Sequence, residues 1–365
     1  NNKNDIPQAQ VNVPGDGKFD PEGVPDNGDN EFIELGFGRI DFGGITGSQA
    51  ATRNYFEKLH DYRHAQGRFS NMGRKAMLRG GGFDSVAEPF WNDMPGIVGL
   101  ENLDYFPDTG VTSLFDYDSF LSRQTGPHLF HFRGNGFPHK PGEGSKAVFW
   151  TGFQSNWGYW YQNPDMWERM AEDSMVLSFT WSTWSWRYHY HRMGLGNPIG
   201  DMMKSSINVV GFNNFSVIHT SYILDDLYPA DSDRKANGDY SGAFVMNHMG
   251  DPLLRVFMLE TPDDLTATRT SAGVHLEWEV SPAANLSGYH VYRAPDFDTP
   301  FTRLTGEPIS GRAFVDGGVD SGSHVYMLRA VRLESTGGGS FYNGSTGIFA
   351  EIDLDATASI PLAVS

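Results

Sequence analysis

Carboxylates are concentrated in a glycine- and proline-rich segment near the start of the sequence. Residues 14–31 read PGDGKFDPEGVPDNGDNE, and such a loop offers the many oxygen ligands and the turning backbone that Ca²⁺ requires. The spacing does not match an EF-hand, so a solvated acidic loop is the alternative interpretation. The predicted calcium ligands are Asp16, Asp20, Asp26, Asp29 and Glu31.

Two histidines stand two positions apart at His189 and His191. On a strand, this spacing would place both rings on one face, where they could bind zinc together with His128 or His131. No motif supplies the carboxylate needed to complete such a site. Chance pairing is the alternative, because the chain contains 12 histidines.

Tryptophan is concentrated in one short part of the chain. Seven of the 9 tryptophans fall between Trp150 and Trp186. Exposed aromatic planes stack on sugar rings or peptide side chains, whereas buried ones anchor cores and subunit interfaces. The sequence does not separate these roles, and packing is the interpretation that we favour. The residues predicted for an aromatic binding surface are Trp157, Trp160, Trp184 and Trp186.

The composition limits the classes of function. With 365 residues, of which 39% are hydrophobic, the chain is long enough for two globular domains. A formal net charge of −18 disfavours binding to nucleic acid, whose phosphates it would repel. The absence of cysteine removes disulfides, thiolate metal sites and a cysteine nucleophile. No apolar run is long enough to predict a membrane span.

Local composition and the pattern of apolar residues predict four segments in the sequence. Residues 1–30 form a polar arm, 31–260 an α/β domain, 261–355 an all-β sandwich and 356–365 a tail. The sequence begins without methionine or a signal-like segment. We therefore expect a processed chain or a piece of a longer one.

Short apolar runs alternate with helix signals in the α/β segment. Strands are predicted at residues 31–42, 147–153, 175–181 and 243–249, and a helix at residues 48–66. Two further helices are predicted to begin at Asn163-Pro164 and Asn197-Pro198, which combine a capping residue with proline at the first helical position. This alternation predicts a largely parallel sheet covered by helices on both faces.

From Pro262 onward, apolar residues alternate with polar ones, and turn residues recur about every ten positions. Several short strands with regular turns predict a β-sandwich. The positions of Pro262, Trp278, the YHVYR run at residues 289–293 and Tyr326 resemble a fibronectin type III domain. The resemblance implies an immunoglobulin-like spacer or adhesion module without catalytic residues.

Two motifs in the α/β segment resemble gingipain-type cysteine peptidases. One is FGRID at residues 37–41, and the other is HMGDPLLRV at residues 248–256, just before the predicted sandwich. The resemblance implies an α/β/α sandwich with the caspase-like fold, incomplete or degenerate here, followed by an immunoglobulin-like domain.

The same resemblance implies catalytic residues that this chain lacks. In the family, a cysteine follows a buried strand, and its histidine partner lies in a His-Gly segment after an earlier strand. Here residues 148–152 fit the buried strand that precedes the nucleophile, but Ser155, and no cysteine, follows this strand. The sequence also contains no His-Gly pair. A serine nucleophile needs a base within hydrogen-bond reach and an oxyanion hole. Ser155 with His131 or His139 is therefore the weak catalytic alternative.

The favoured interpretation is a non-catalytic extracellular or cell-surface protein. Its degenerate gingipain-like domain would serve adhesion or surface assembly, with other surface proteins, further copies of itself or polysaccharide as partners. An active secreted hydrolase with a non-cysteine nucleophile is one alternative. A carbohydrate-binding protein that uses the tryptophan-rich segment is the other.

Overall fold

The structure is a computed structural model that describes ten segments of the chain. These are residues 36–43, 45–79, 93–106, 124–134, 145–153, 165–171, 175–182, 189–209, 246–319 and 321–355. Their contacts divide them into two compact units. The α/β unit takes the described residues of 1–59, 71–256 and 336–339, and the β-sandwich unit takes those of 60–70, 257–335 and 340–365.

Among the described residues, a six-stranded mixed sheet forms the centre of the α/β unit, in the order β2-β1-β3-β4-β5-β6. The first five strands in this order pair in parallel, and β6 pairs antiparallel to β5. The bounds are β1 Gly73–Arg79, β2 Leu103–Phe106, β3 His128–Gly134, β4 Ala147–Phe153, β5 Ser178–Ser182 and β6 Met246–Gly250. The prediction of a largely parallel sheet is confirmed.

Four α-helices accompany this sheet in the described residues: α1 Ser48–Arg63, α2 Pro95–Val98, α3 Asp165–Ala171 and α4 Ile199–Val209. Short 3₁₀ helices span Gly67–Phe69, Leu100–Asn102 and Tyr190–Leu195. Helix α1 buries Ala51, Tyr55 and Leu59, which lie at intervals of four residues on one stripe. This confirms the helix predicted at residues 48–66, whose last residues lie beyond its end.

Two predicted strands have different bounds in the structure. The strand expected at residues 31–42 is reduced, among residues 36–42, to an isolated parallel bridge between Arg39 and Met249. A side chain at Gly38 would overlap the carbonyl oxygen of Gly250, so glycine allows this close approach. The strand expected at residues 175–181 begins only at Ser178. Strands β1, β2 and β3 were not predicted.

The β-sandwich unit contains two antiparallel sheets. One has the order β11-β8-β7, and the other has the order β10-β9-β12-β13, with β14 also paired to β12. The bounds are β7 Asp263–Thr270, β8 Gly273–Glu279, β9 Gly288–Ala294, β10 Thr302–Arg303, β11 Ala313–Asp316, β12 Ser323–Thr336, β13 Gly339–Gly344 and β14 Ile348–Asp353. The predicted all-β arrangement is confirmed.

Alternating residues of both sheets meet in one apolar core. Val274, Leu276 and Trp278 of β8 face Tyr289 and Val291 of β9 and the inward side of β12. The two-residue period that predicted strands here therefore also selects the buried face.

The helices in the described part of the chain are short or amphipathic. None of them is long and apolar enough to cross a bilayer.

Candidate functional site

Strands β3 and β4 are the neighbours on which the catalytic alternative depends. They pair in parallel with His131 opposite Trp150 and Gly134 opposite Phe153. Because parallel strands end at the same edge of a sheet, the chain leaves both strands at one edge. This is the edge at which an α/β sheet usually binds its ligands.

His131 lies inside the sheet and not at this edge. Its side chain is 0% exposed, and its ring contacts the rings of Trp150 at 4.9 Å and His128 at 4.5 Å between centroids. Burial, with a smaller contribution from the nearby His128 and Lys75, holds the pKa of His131 well below its usual value. The structure thus places a neutral, enclosed imidazole at this position.

His128 and Trp150 complete this interior cluster. His128 Nδ1 lies 2.9 Å from the carbonyl oxygen of Gly126, and Trp150 Nε1 donates to Ser145 Oγ at 2.9 Å. Burial lowers the pKa of His128 to about 4, although the hydrogen bond to Gly126 opposes the shift. Both contacts join side chains to the entry ends of β3 and β4, which indicates a structural role.

A polar cluster occupies the opposite face of the sheet, since Thr151 follows Trp150 in an alternating strand. The hydroxyl groups of Thr151, Thr180 and Tyr190 are mutually hydrogen-bonded, with Thr180 Oγ1 2.7 Å from Thr151 Oγ1 and 2.8 Å from the Tyr190 hydroxyl. Burial raises the pKa of Tyr190, and its bonds to both threonines oppose the shift. Its phenol therefore stays protonated near neutral pH and holds β4 and β5 to the following segment.

Asp93 fixes the start of that segment. Its Oδ2 accepts the backbone N–H of Tyr190 at 2.9 Å, and its Oδ1 lies 3.8 Å from His191 Nδ1. Sequence reasoning missed Asp93, because its partners lie about a hundred positions away along the chain. Only the HYH run at residues 189–191 marked this place.

The His-x-His pair does not lie on a strand. Tyr190, the middle residue of the run, begins the 3₁₀ helix Tyr190–Leu195, and His189 directly precedes this helix. The rings of His189 and His191 are 5.8 Å apart. In the described segments, no group of three histidine, aspartate or glutamate side chains is arranged to hold a metal ion. The strand geometry assumed for the zinc interpretation was wrong.

The GDP motif is a junction of backbone segments. Gly250 has a φ of +122°, which favours glycine, and its N–H donates to the Arg39 carbonyl at 2.7 Å. The next residue, Asp251, donates its N–H to the Tyr55 hydroxyl at 2.9 Å, and that hydroxyl donates to Leu177 O at 3.0 Å. Pro252 and Leu254 accept the first backbone N–H groups of α4 at 2.8 Å each.

Replacing Tyr55 with phenylalanine should destabilise this junction. The substitution removes one hydroxyl and leaves a buried N–H and a buried carbonyl without it, so the free energy of unfolding should fall by about 1–3 kcal/mol. Urea denaturation followed by tryptophan fluorescence measures this change. Tyr342→Phe is the matched control, because that side chain is 60% exposed. Equal unfolding midpoints for Tyr55→Phe and the parent chain would contradict the role assigned to the hydroxyl.

Most of the other predicted site residues lie outside the described segments. These are the catalytic candidates Ser155 and His139, the aromatic residues Trp157, Trp160, Trp184 and Trp186, and the calcium candidates Asp16, Asp20, Asp26, Asp29 and Glu31. Their proposed roles stay predictions.

Comparison with known proteins gives partial likenesses. No family model matches the chain, and no curated protein matches it. Among solved structures, the chain is similar to an Fn3-like protein from Clostridium thermocellum, with 24% identity over 26% of this chain and 93% of that one, at a TM-score of 0.20.

Two other solved structures are similar over comparable lengths. A pectate lyase from Pectobacterium carotovorum shares 17% identity over 28% of each chain, at a TM-score of 0.19. A β-1,2-glucanase from Parabacteroides distasonis shares 13% identity over 30% of this chain, at a TM-score of 0.19. The matches span only 28% of the lyase and 15% of the glucanase. The activity of neither enzyme is therefore assigned to this chain.

Proposed function

We propose that this chain is a non-catalytic, peptidase-like protein that acts outside the cell or on its surface. In this proposal a degenerate gingipain-like α/β domain and a fibronectin type III-like domain together serve adhesion or surface assembly. The supporting observation is the pair of neighbouring strand ends, at which the family resemblance would place a histidine and a cysteine.

No histidine and no cysteine stands directly after either strand. After β4, which ends at Phe153, the sequence continues with Gln154 and Ser155. After β3, which ends at Gly134, it continues with Asn135-Gly136, and His139 follows five positions after the strand, outside the described residues. An asparagine amide does not take up a proton near neutral pH, and it therefore cannot replace an imidazole as a general base.

The interior position of His131 agrees with a loss of catalysis. A general base must come within hydrogen-bond reach of the group whose proton it removes, and this imidazole is fully enclosed by the sheet and its neighbours. Its lowered pKa also makes it a weak proton acceptor.

The two motifs that carry the family resemblance contact each other. Arg39 of the first motif pairs with Met249 of the second, and the Arg39 N–H donates to the His248 carbonyl at 3.0 Å. Residues that are distant in sequence thus meet at the sixth strand of a sheet that is otherwise parallel. This arrangement supports the proposed α/β/α fold of the caspase-like type.

An exposed aromatic cluster on the β-sandwich unit supports an adhesion role. Phe297 and Phe349 are 54% and 46% exposed, and their ring centroids are 5.4 Å apart. The Phe301 ring lies 5.8 Å from that of Phe349. Clustered exposed apolar side chains are typical of surfaces that bind other macromolecules.

A hydrolysis panel of proteins and peptides tests this proposal directly. The parent chain and Ser155→Ala should both show no turnover, with or without added Ca²⁺, because no activated nucleophile is expected. Turnover by the parent that disappears in Ser155→Ala would overturn the proposal in favour of a hydrolase with a replaced nucleophile. Retention on a polysaccharide column that is lost in Trp157→Ala or Trp160→Ala would instead favour carbohydrate binding.

A further inference from the structure

Two histidines lie side by side at the end of helix α1. His60 lies in the last turn of α1, and His64 directly follows its last residue, Arg63. The His64 N–H still donates to the His60 carbonyl at 3.1 Å, so the two side chains lie on one face. Their ring centroids are 4.1 Å apart, with the ring planes tilted by 35°. His60 is exposed to solvent and His64 is partly exposed. An ion in solution therefore has access to both imidazoles.

The backbone around this pair is held in place by local contacts. Tyr62, between the two histidines, is buried and packs its ring edge-on against Phe69, with the centroids 5.4 Å apart. The N–H of Gln66 donates to Asp61 O at 2.9 Å. Thr346 Oγ1 donates to the carbonyl oxygen of Arg63 at 2.9 Å. The turn that presents the histidines is thus fixed before any ligand arrives.

One of the rings is oriented in the way typical of a metal-binding histidine. His64 Nδ1 lies 2.8 Å from the carbonyl oxygen of His60. Because a carbonyl only accepts, the Nδ1–H of His64 is the donor in this hydrogen bond. A neutral ring then carries its lone pair on Nε2. Metal-bound histidines commonly donate their second nitrogen to a backbone carbonyl in this manner.

From this geometry we propose that His60 and His64 form a binding site for a divalent late first-row transition-metal ion such as Zn²⁺. Two imidazoles at positions i and i+4 of a helix can bind one ion together, with each nitrogen about 2.0–2.1 Å from the metal. Imidazole suits Zn²⁺, Cu²⁺ and Ni²⁺, whereas Ca²⁺ and Mg²⁺ prefer oxygen ligands.

The proposed site supplies only two protein ligands, so the coordination shell of the ion is incomplete. Zn²⁺ in proteins is usually four-coordinate, so two positions remain for water or an external group. The ion should therefore exchange with solvent, in contrast to a closed structural site. The net charge of −18 attracts cations to the protein in general, but the selectivity comes from the two imidazoles.

Isothermal titration of the full chain with ZnCl₂ alone tests the proposal. His60→Ala and His64→Ala should each remove one binding equivalent or weaken it by at least about tenfold, because even the loss of an outer-shell partner costs about 10- to 100-fold in metal affinity. The double variant should lose no more Zn²⁺ binding than either single variant, because both substitutions remove the same site. His324→Ala is the control, since this histidine lies on β12 and its Nε2 contacts the Ser321 carbonyl.

Two further readouts separate metal binding from an effect on folding. Without metal, the circular dichroism of both variants should equal that of the parent. The melting temperature should be unchanged for His60→Ala, whose side chain is exposed, and should fall only slightly for His64→Ala, which loses one hydrogen bond to the His60 carbonyl. Binding by the parent should weaken on going from about pH 7.5 to about pH 5.5, since protons compete for imidazole. Zn²⁺ isotherms that are identical for the parent, His60→Ala and His64→Ala would overturn the proposal.

Discussion

The free energy of unfolding, measured with urea, should be on the order of 4 kcal/mol lower at pH 5 than at pH 7. The reason is the set of buried histidines in the six-stranded sheet. Burial lowers the pKa of both His128 and His248 to about 4 from the ordinary value of about 6.5. Burial also lowers the pKa of His131.

The direction of the effect follows from where protons bind. Between about pH 6.5 and about pH 4, His128 and His248 take up protons in the unfolded chain but not in the folded one. Their stabilising contribution is therefore complete above about pH 6.5 and is lost progressively as the pH falls towards about 4. Each of His128 and His248 accounts for about 2 kcal/mol of the loss at pH 5.

Urea denaturation at a series of pH values, followed by tryptophan fluorescence, measures this dependence. Eight of the 9 tryptophans precede Pro262, so the signal reports mainly on the α/β unit. The double variant His128→Gln/His248→Gln should be less stable at pH 7 but should lose less stability on acidification. His275→Gln serves as control, because this histidine is partly exposed on β8. A pH dependence unchanged in the double variant would show that other groups cause the acid sensitivity.

Asp316→Ala should lower the free energy of unfolding of the β-sandwich unit by about 3 kcal/mol or more. The Asp316 side chain is buried, and its Oδ2 lies 2.5 Å from Arg293 Nη1 and accepts the Tyr326 hydroxyl at 2.9 Å. Its Oδ1 accepts the N–H of Gly318 at 3.0 Å. Burial, together with the hydrogen bond to Asp316 and its charge, raises the pKa of Tyr326. Removal of the carboxylate leaves all three donors without their acceptor.

Amide hydrogen exchange of the full chain measures the loss of stability strand by strand. Amide protection in β8, β9 and β12 should fall, while protection in β3 and β4 should not change, since those strands belong to the other unit. Asp296→Ala is the matched control, because Asp296 is an exposed aspartate that accepts the N–H groups of Asp298 and Thr299 at 3.0 and 2.8 Å. Equal protection in Asp316→Ala and Asp296→Ala would contradict the importance of the buried carboxylate.

Local signals predicted several elements well. The apolar run at residues 147–153 coincides with β4, because a strand buried on both faces has no need for polar alternation. Asn197-Pro198 directly precedes α4, which begins at Ile199. In the sandwich, the alternation of Val274, Leu276 and Trp278 predicted both the strand and its buried face.

Elements that depend on distant partners were not predictable in the same way. Strand β1 contains Arg74 and Lys75, which weaken its apolar signal, and Lys75 pairs with Asp104 at 2.5 Å only in the folded sheet. His131 looked like a candidate base in sequence, yet its neighbours across the sheet enclose it. The catalytic and aromatic candidates after β4 and β5 lie outside the described residues, so their placement stays a prediction.

The junction at Asp251 has a consequence for the synthesis of the protein. Its N–H donates to the Tyr55 hydroxyl across 196 positions of the sequence, and β6 completes the sheet beside β5. A ribosome that adds about 5–20 residues per second needs on the order of several seconds to proceed from the end of β5 to the end of β6. During that interval, β6, the strand that pairs with this side of β5 among the described residues, is still missing, and an unpaired strand edge can pair with other nascent chains. The six-stranded sheet is therefore completed only after β6 has left the ribosome.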